Sequence, residues 1–293
     1  MPRLTFLLDR TAVLFLGVAA GGLMGYAFGT GNERHAAVEI AADAAPLRGA
    51  PAAIEPPPPN AAAVPSTTDA PKLRIKAPDG RSIRVGVFGD SFGDGVWSGL
   101  YRLLPPRDGY RVVKYSRPAT GFTRYRRLDL ETKDAEAIGR DPLDVAVISF
   151  GANDAQGVCE AGHCGQLMTP YWQQVIAGRV ERYVAMLRRH RASVYWVGLP
   201  AMRDINFDDD ARAMDAFYKR LTARLGVPFI DIRPLTTDAT GSYQAFYLDG
   251  GTTQKPLRAD DGIHMSMNGY VHVAAPLARQ IRASVAPAKA AGA

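Results

Sequence analysis

A short apolar run that ends in a glycine turn and leads straight into a helical pattern constrains the fold more than any other part of the chain. The run RVGVFGDS occupies residues 84–91, and its β-branched and aromatic residues predict a buried strand. Gly89 allows a tight turn at the carboxyl end of that strand, where open α/β sheets bind ligands. Because apolar residues recur at helical spacing over 92–104, Ser91 is predicted to lie between a strand end and a helix start. The unpaired amides of a first helical turn favour negative charge there.

Strand and helix patterns alternate along the rest of the chain. The apolar periodicity predicts further strands at 110–115, 144–150, 193–199 and 227–232, and helices at 170–191, 208–225 and 265–285. No period persists over 234–260, which is predicted to be a long loop. The alternation predicts one α/β domain over residues 73–286. Its architecture would be a three-layer α/β/α sandwich around a mainly parallel five-stranded sheet.

The amino end carries a membrane or export signal. Residues 11–30 contain no charged side chain and follow Arg3 and Arg10. Their length is close to the roughly 20 residues that cross a bilayer, which favours an uncleaved anchor over residues 1–30. Basic residues on the amino side predict that this end stays in the cytoplasm and that the domain is exported to the periplasm. A signal peptide cleaved near residues 27–29, giving a secreted protein, is the alternative.

Composition separates the anchor from the domain and limits the classes of partner. Residues 31–72 are rich in Ala and Pro and predict a disordered linker, and residues 287–293 predict a disordered tail.

The formal net charge is +6, but the Lys and Arg residues are scattered along the chain. Scattered basic residues disfavour nucleic-acid binding, whereas acidic polymers or an anionic membrane surface are compatible partners.

Two further polar motifs accompany the serine turn. The third strand ends in the sequence GAND at 151–154, and DDGIH at 260–264 precedes the last helix. Histidine can take a proton from a serine near neutral pH, and a carboxylate can fix its tautomer. Taken singly, Asp90 or Ser91 is also typical of a helix N-cap, and His264 of a surface or capping residue. Together the motifs predict a Ser-His-Asp triad.

With these motifs in this order, residues 73–286 resemble the SGNH (GDSL-type) hydrolase superfamily, in an exported bacterial form. The resemblance implies a flavodoxin-like SGNH fold in which Ser91 is the nucleophile, His264 the base and Asp261 its orienting partner. It also implies an oxyanion hole formed by Ser91, Asn153 and Gly121, although residues 118–121 match the second family block by position more than by sequence. Phe92 stands where the family commonly has leucine. The expected supporting residues of the turns and hydrogen-bond network are Asp90, Gly151 and Asp154.

The resemblance implies ester chemistry without a cofactor or metal. The expected substrate is an acylated glycan or a small ester, and the acyl group would pass to water in an esterase or to a sugar hydroxyl in an O-acetyltransferase. An envelope polysaccharide is favoured by the predicted location and by family analogy. A protein of another class is the rival interpretation, namely a catalytically idle module that binds acidic polysaccharides.

Several remaining residues have two interpretations. Cys159 and Cys164 predict a small disulfide loop in an oxidising compartment, whereas a zinc site with His163 would lack a visible fourth ligand. His190 and His272 are predicted to cap helices or lie on the surface. Four aromatic residues could line an acyl or sugar pocket, although their helical spacing is also typical of core positions: Phe92, Trp97, Tyr171 and Trp172.

Overall fold

The computed structural model describes residues 75–76, 80–125, 128–139 and 142–286. The segment predicted to be an anchor or signal at 1–30, the predicted linker at 31–72 and the predicted tail at 287–293 lie outside these residues. Within the described ranges no helix combines the length and apolar character needed to cross a bilayer.

Five of the strands in the described residues, all parallel to one another, form the central sheet. The strands in chain order are β1 (Ile75–Lys76), β2 (Ile83–Gly89), β3 (Tyr110–Lys114), β4 (Val145–Ser149), β5 (Val158–Glu160), β6 (His163–Gly165), β7 (Ser193–Val197), β8 (Phe229–Ile230), β9 (Phe246–Asp249), β10 (Thr253–Pro256) and β11 (Val285–Ala286). The central order is β3-β2-β4-β7-β8, and every neighbouring pair is parallel. Every residue of β4 is buried, as expected of a parallel strand covered on both faces. The predicted five-stranded parallel sheet is confirmed.

Helices cover both faces of this sheet. They are α1 (Ser91–Leu103), α2 (Leu130–Ile138), α3 (Pro170–Arg189), α4 (Ile205–Arg224) and α5 (Met267–Ser284). Successive strand residues point to opposite faces. On β7, the Tyr195 hydroxyl lies 2.9 Å from Ser284 Oγ of α5, whereas the next residue, Trp196, packs its ring 4.5 Å from that of Tyr218 on α4. Helices α5 and α4 therefore lie on opposite faces, which confirms the three-layer α/β/α architecture.

Close packing of α1 against α5 brings two predicted catalytic segments to one end of the sheet. A Cβ atom at Gly95 would overlap the Tyr270 ring, and one at Gly99 would lie 2.6 Å from the Tyr270 carbonyl oxygen. Both positions of α1 therefore need glycine for α5 to approach. Because Ser91 begins α1 and His264 lies just before α5, this packing sets the distance between them.

The prediction of a long loop over 234–260 is wrong in part. Strands β9 and β10 pair there as an antiparallel hairpin, and the turn between them contains Gly250 and Gly251, both with positive φ. Most hairpin side chains are at least partly exposed, so the strands carry no clear apolar alternation. Helix α2 and the short β5–β6 hairpin were also not predicted, because their brief segments show too few apolar repeats to reveal a period.

Partly buried Asp215 on α4 makes the stability of the fold depend on pH. Its Oδ1 accepts a hydrogen bond of 2.9 Å from the Leu199 amide, just beyond β7. Burial raises the pKa of Asp215 to about 7, and the nearby Asp231 carboxylate adds to the rise. The folded state therefore binds this proton more tightly than the unfolded state does. Stability should fall as pH rises from about 4 to about 7.

Asp215→Asn should remove this dependence. Relative to wild type, the variant should gain stability as pH rises from 4 to 8, by up to about 4 kcal/mol for a shift of about three pKa units. Urea unfolding at the two pH values measures the change, and Asp209→Asn supplies an exposed control on α4. An equal difference between Asp215→Asn and wild type at both pH values would contradict the assignment.

Candidate active site

The three side chains predicted to form a triad lie in one hydrogen-bonded row. His264 Nε2 lies 2.8 Å from Ser91 Oγ, and His264 Nδ1 lies 2.6 Å from Asp261 Oδ2. The side chains of His264 and Asp261 are 38% and 46% exposed. This row at the protein surface can move a proton from the serine hydroxyl to the imidazole.

The local backbone presents Ser91 at the strand-to-helix turn. Ser91 is the first residue of α1, and Asp90 is its N-cap, with Oδ1 accepting a 2.9 Å hydrogen bond from the Phe92 amide. The capping interpretation of Asp90 is therefore correct, and it leaves the Ser91 hydroxyl facing His264. The buried Phe92 ring stacks on the His264 imidazole at 5.4 Å between centroids. Phe92 thus supports the histidine ring from one side.

Asp261 is arranged to remain a carboxylate. Partial burial raises its pKa, but hydrogen bonds from the His264 ring and from the Ile263 and His264 amides outweigh that effect and lower the pKa to about 2. Both amides donate to Oδ1 at 2.8 Å. The other oxygen, Oδ2, is thereby directed to His264 Nδ1. An ionised Asp261 favours the proton on Nδ1 and leaves the Nε2 lone pair facing Ser91.

Buried Arg258 holds the loop that carries the histidine, a role that the sequence alone does not predict. Its Nη2 donates to the Ile263 carbonyl at 2.6 Å, its Nε donates to the His264 carbonyl at 3.3 Å, and its Nη1 donates to the Ala201 carbonyl. Burial lowers the pKa of this guanidinium. No local motif marks Arg258, because its partners are backbone carbonyls, one of them distant in sequence.

Asn153 lies beside the nucleophile turn. Its Nδ2 donates to Asp90 Oδ2 at 3.3 Å, which occupies one of the two amide hydrogens and leaves the second for another acceptor. Burial raises the pKa of Asp90 to about 6, the Asp154 charge adds to the rise, and backbone amides, including those of Phe92 and Gly151, oppose it. Asp90 therefore caps α1 and anchors Asn153 at the same time.

Gly121 lies against the Asp154 carboxylate. A Cβ atom at this position would overlap Asp154 Oδ1, so only glycine fits. Asp154 directly follows Asn153, and Gly151 lies at the start of the same turn with φ 155°. The structure thus brings Gly121, Asn153 and the turn at 151–154 together through Asp154.

Cys159 and Cys164 form a disulfide that closes the β5–β6 hairpin. The zinc alternative is therefore wrong in this structure, because both thiols are used. In the part of the chain that the structure describes, no cluster of three or more His, Cys, Asp or Glu side chains could hold a metal ion. Tyr171 fastens the hairpin to α3 by donating its hydroxyl proton towards the carbonyls of Glu160 and His163, at 3.1 and 3.2 Å.

Removing the disulfide with the pair Cys159→Ser and Cys164→Ser should lower the free energy of unfolding by about 2 kcal/mol, as expected for so short a loop in the chain-entropy model. Urea unfolding of wild type and variant measures the loss, and reduction of wild type is the matched control. Free thiols in oxidised wild-type protein, detected by mass spectrometry after alkylation, would contradict the pairing.

The structure agrees with some of the remaining histidine and aromatic predictions and not with others. His190 forms the C-cap of α3, as expected, whereas His272 is half-buried and packs its ring 4.2 Å from that of Tyr247. Trp172 is fully buried and packs on Phe217, so it belongs to the core and not to a pocket.

Comparisons with known proteins agree with the fold. A family described as "Protein of unknown function (DUF459)" matches residues 84–280. The periplasmic domain of a lipopolysaccharide acetyltransferase from Salmonella ser. Paratyphi A is 10% identical, with a TM-score of 0.52, over 71% of this chain and 85% of that chain. No curated protein matches the sequence.

Two further solved structures are similar at lower TM-scores. A GDSL-like lipase from Bacteroides thetaiotaomicron is 14% identical, with a TM-score of 0.47, over 69% of this chain and 89% of that chain. A member of the lipolytic G-D-S-L family from Veillonella parvula is 12% identical, with a TM-score of 0.46, over 66% of this chain and 94% of that chain. The likeness to the acetyltransferase domain is a likeness of fold, and it agrees with the predicted α/β architecture.

Proposed function

The chain belongs to the DUF459 family, and we propose that it is an exported serine hydrolase that cleaves O-acyl esters with Ser91, His264 and Asp261. One observation carries the proposal: Ser91 Oγ, the His264 ring and the Asp261 carboxylate form a continuous row with separations of 2.8 and 2.6 Å. A structural role explains this row poorly, because both the histidine and the aspartate are substantially exposed.

In the proposed reaction, His264 Nε2 accepts the hydroxyl proton while Ser91 Oγ bonds to the ester carbonyl carbon. The carbonyl electron pair moves onto oxygen, and the Asp261 carboxylate stabilises the imidazolium. Collapse of the tetrahedral intermediate breaks the bond to the alcohol, which leaves with the proton from Nε2. Water then attacks the acyl-enzyme through the same base and releases the acid.

The oxyanion would be held by the second Asn153 Nδ2 hydrogen and by the Ser91 and Gly121 amides. Two features support this assignment. The Asp90 carboxylate restrains the Asn153 amide, and Asp154 abuts Gly121. The first turn of α1 also contributes its amide dipoles next to Ser91. Donors held in this way are effective because they need little rearrangement when charge develops on the carbonyl oxygen.

The substrate proposed is an acylated envelope glycan. The uncharged stretch at 11–30 after two arginines supports export of the domain and attachment to the inner membrane. Partly exposed catalytic side chains are suited to an ester on a bulky polymer, which could not enter a deep pocket. Transfer of the acyl group to a sugar hydroxyl is the second candidate, because the lipopolysaccharide acetyltransferase domain shares this fold.

Release of product from a short-chain aryl ester tests the proposal. The full-length chain in detergent should release the aryl alcohol and free acid in equal amounts if water is the acceptor. Mass spectrometry of reactions that contain an added oligosaccharide would reveal an acylated sugar if transfer occurs. Absence of aryl alcohol release with several acyl chain lengths would count against ester chemistry of either kind.

A further inference from the structure

The backbone that follows Gly121 is held on both sides by buried charged side chains. On one side Asp154, which is fully buried, accepts hydrogen bonds from the Phe122 amide at 3.0 Å, the Thr123 amide at 2.8 Å and the Thr123 hydroxyl at 2.8 Å. A single carboxylate therefore restrains two consecutive peptide units directly after Gly121.

Arg179 of α3 holds the opposite side. Its Nη1 donates to the Phe122 carbonyl at 2.5 Å, and only 4% of the residue is exposed. The peptide unit that contains the Phe122 carbonyl also contains the Thr123 amide. This unit is therefore hydrogen-bonded through its oxygen to Arg179 and through its N–H to Asp154.

The other edge of the Arg179 guanidinium faces the disulfide hairpin. Its Nη2 lies 3.5 Å from Glu160 Oε2, and Glu160 follows Cys159 on β5. The guanidinium carbon lies 4.8 Å from the centre of the Tyr125 ring. These three residues and the two half-cystines line a surface cavity of about 590 Å³. The planar guanidinium thus fits between the hairpin and the Gly121 loop.

We propose that Arg179 is a positioning residue for the oxyanion hole, acting through the Phe122 carbonyl on the amide of Gly121. This inference rests on the proposed function. Gly121 has no side chain to fix its orientation, and only its φ and ψ angles separate its N–H from the anchored peptide units on its carboxyl side. Holding those units therefore limits the directions in which the Gly121 N–H can point. If Arg179 is removed, the Phe122 carbonyl loses a charged partner inside the protein, which leaves the loop free to shift.

The expected effect falls on kcat and not on KM. An oxyanion-hole donor acts on the transition state, and misplacement by about 1 Å can cost about 10²-fold in rate. Arg179→Met should therefore lower kcat for an aryl ester by about 10²-fold with little change in KM. Arg179→Lys should lose about tenfold, because an ammonium group cannot hold Phe122 and Glu160 in one plane.

A matched set of variants separates positioning from general stability. Arg182→Met is the control, since Arg182 lies on α3 but is 56% exposed and pairs with Glu131; its kcat should equal that of wild type. Because Asn153→Ala already impairs the hole, adding Arg179→Met to it should cost less than Arg179→Met costs alone. Thermal unfolding of each protein shows which variants are folded.

The possible outcomes each decide a different question. A wild-type protein that does not turn over the ester rejects the proposed function. An active wild type with unchanged kcat in folded Arg179→Met, or with additive losses in the double variant, rejects only the positioning role. If Arg179→Met does not fold, Arg179→Lys decides, and a folded Arg179→Lys with wild-type kcat would overturn the inference.

Discussion

Replacement of Ser91 by alanine should lower kcat for a short-chain aryl ester by about 10⁶-fold, and His264→Ala should cost nearly as much. The reason is the single 2.8 Å contact between Ser91 Oγ and His264 Nε2. Without the imidazole the hydroxyl keeps its proton, and without the hydroxyl the imidazole has nothing to activate. The double variant should therefore be no slower than either single variant.

Stability should be almost unaffected by Ser91→Ala, because the hydroxyl contacts the half-exposed histidine and no core residue. Thermal unfolding measured beside the kinetics checks this expectation. Ser98→Ala is the matched control, since Ser98 lies on α1 and donates its hydroxyl proton only to the Asp94 carbonyl. Additive losses in the double variant, or substantial turnover by folded Ser91→Ala, would show that the two residues do not act as a pair.

Asp261→Asn should lower kcat by about 10⁴-fold while the fold stays intact, the loss expected when the catalytic histidine takes the wrong tautomer. The structure determines how the new amide would lie. Oδ1 accepts hydrogen bonds from the Ile263 and His264 amides, so an asparagine oxygen would stay there. Its NH₂ group would then face His264 Nδ1 and donate to it. The ring proton would move to Nε2, which faces Ser91 and could no longer act as a base.

The adjacent carboxylate supplies the control for this prediction. Asp260→Asn changes charge by the same amount one residue away, and the Asp260 contact to Arg203 runs through its backbone carbonyl, so its kcat should stay near that of wild type. NMR of the His264 ring nitrogens should show Nδ1 protonated in wild type and Nε2 protonated in Asp261→Asn. An Asp261→Asn protein with near wild-type kcat would remove Asp261 from the mechanism.

Local sequence predicted the central sheet because each of its strands is recognisable by itself. Val145–Ser149 is apolar at nearly every position, and the run that ends in Gly89 combines strand formers with a turn residue. Helix α2 and the β9–β10 hairpin were missed for the opposite reason. Their segments are short and partly exposed, so tertiary contacts decide their structure more than an apolar period does.

The residues of the candidate site fall into the same two groups, those that local sequence predicts and those that it does not. Ser91, Asn153 and His264 stand in recognisable motifs at strand ends or before a helix, so the parallel sheet brings them to one edge. Arg179 and Arg258 carry no motif, because each binds backbone carbonyls of segments distant in sequence. Such a contact depends on where those segments pack, and only the folded structure reveals it.

Covalent labelling shows whether Ser91 is an activated nucleophile. The full-length chain would be treated briefly with an aryl fluorophosphonate, which reacts with activated serines, and digested for mass spectrometry. We expect one adduct, on the peptide that contains Ser91. It should be absent in Ser91→Ala and should form much more slowly in His264→Ala. No adduct on Ser91 in the folded wild-type protein, or labelling equally fast without His264, would contradict it.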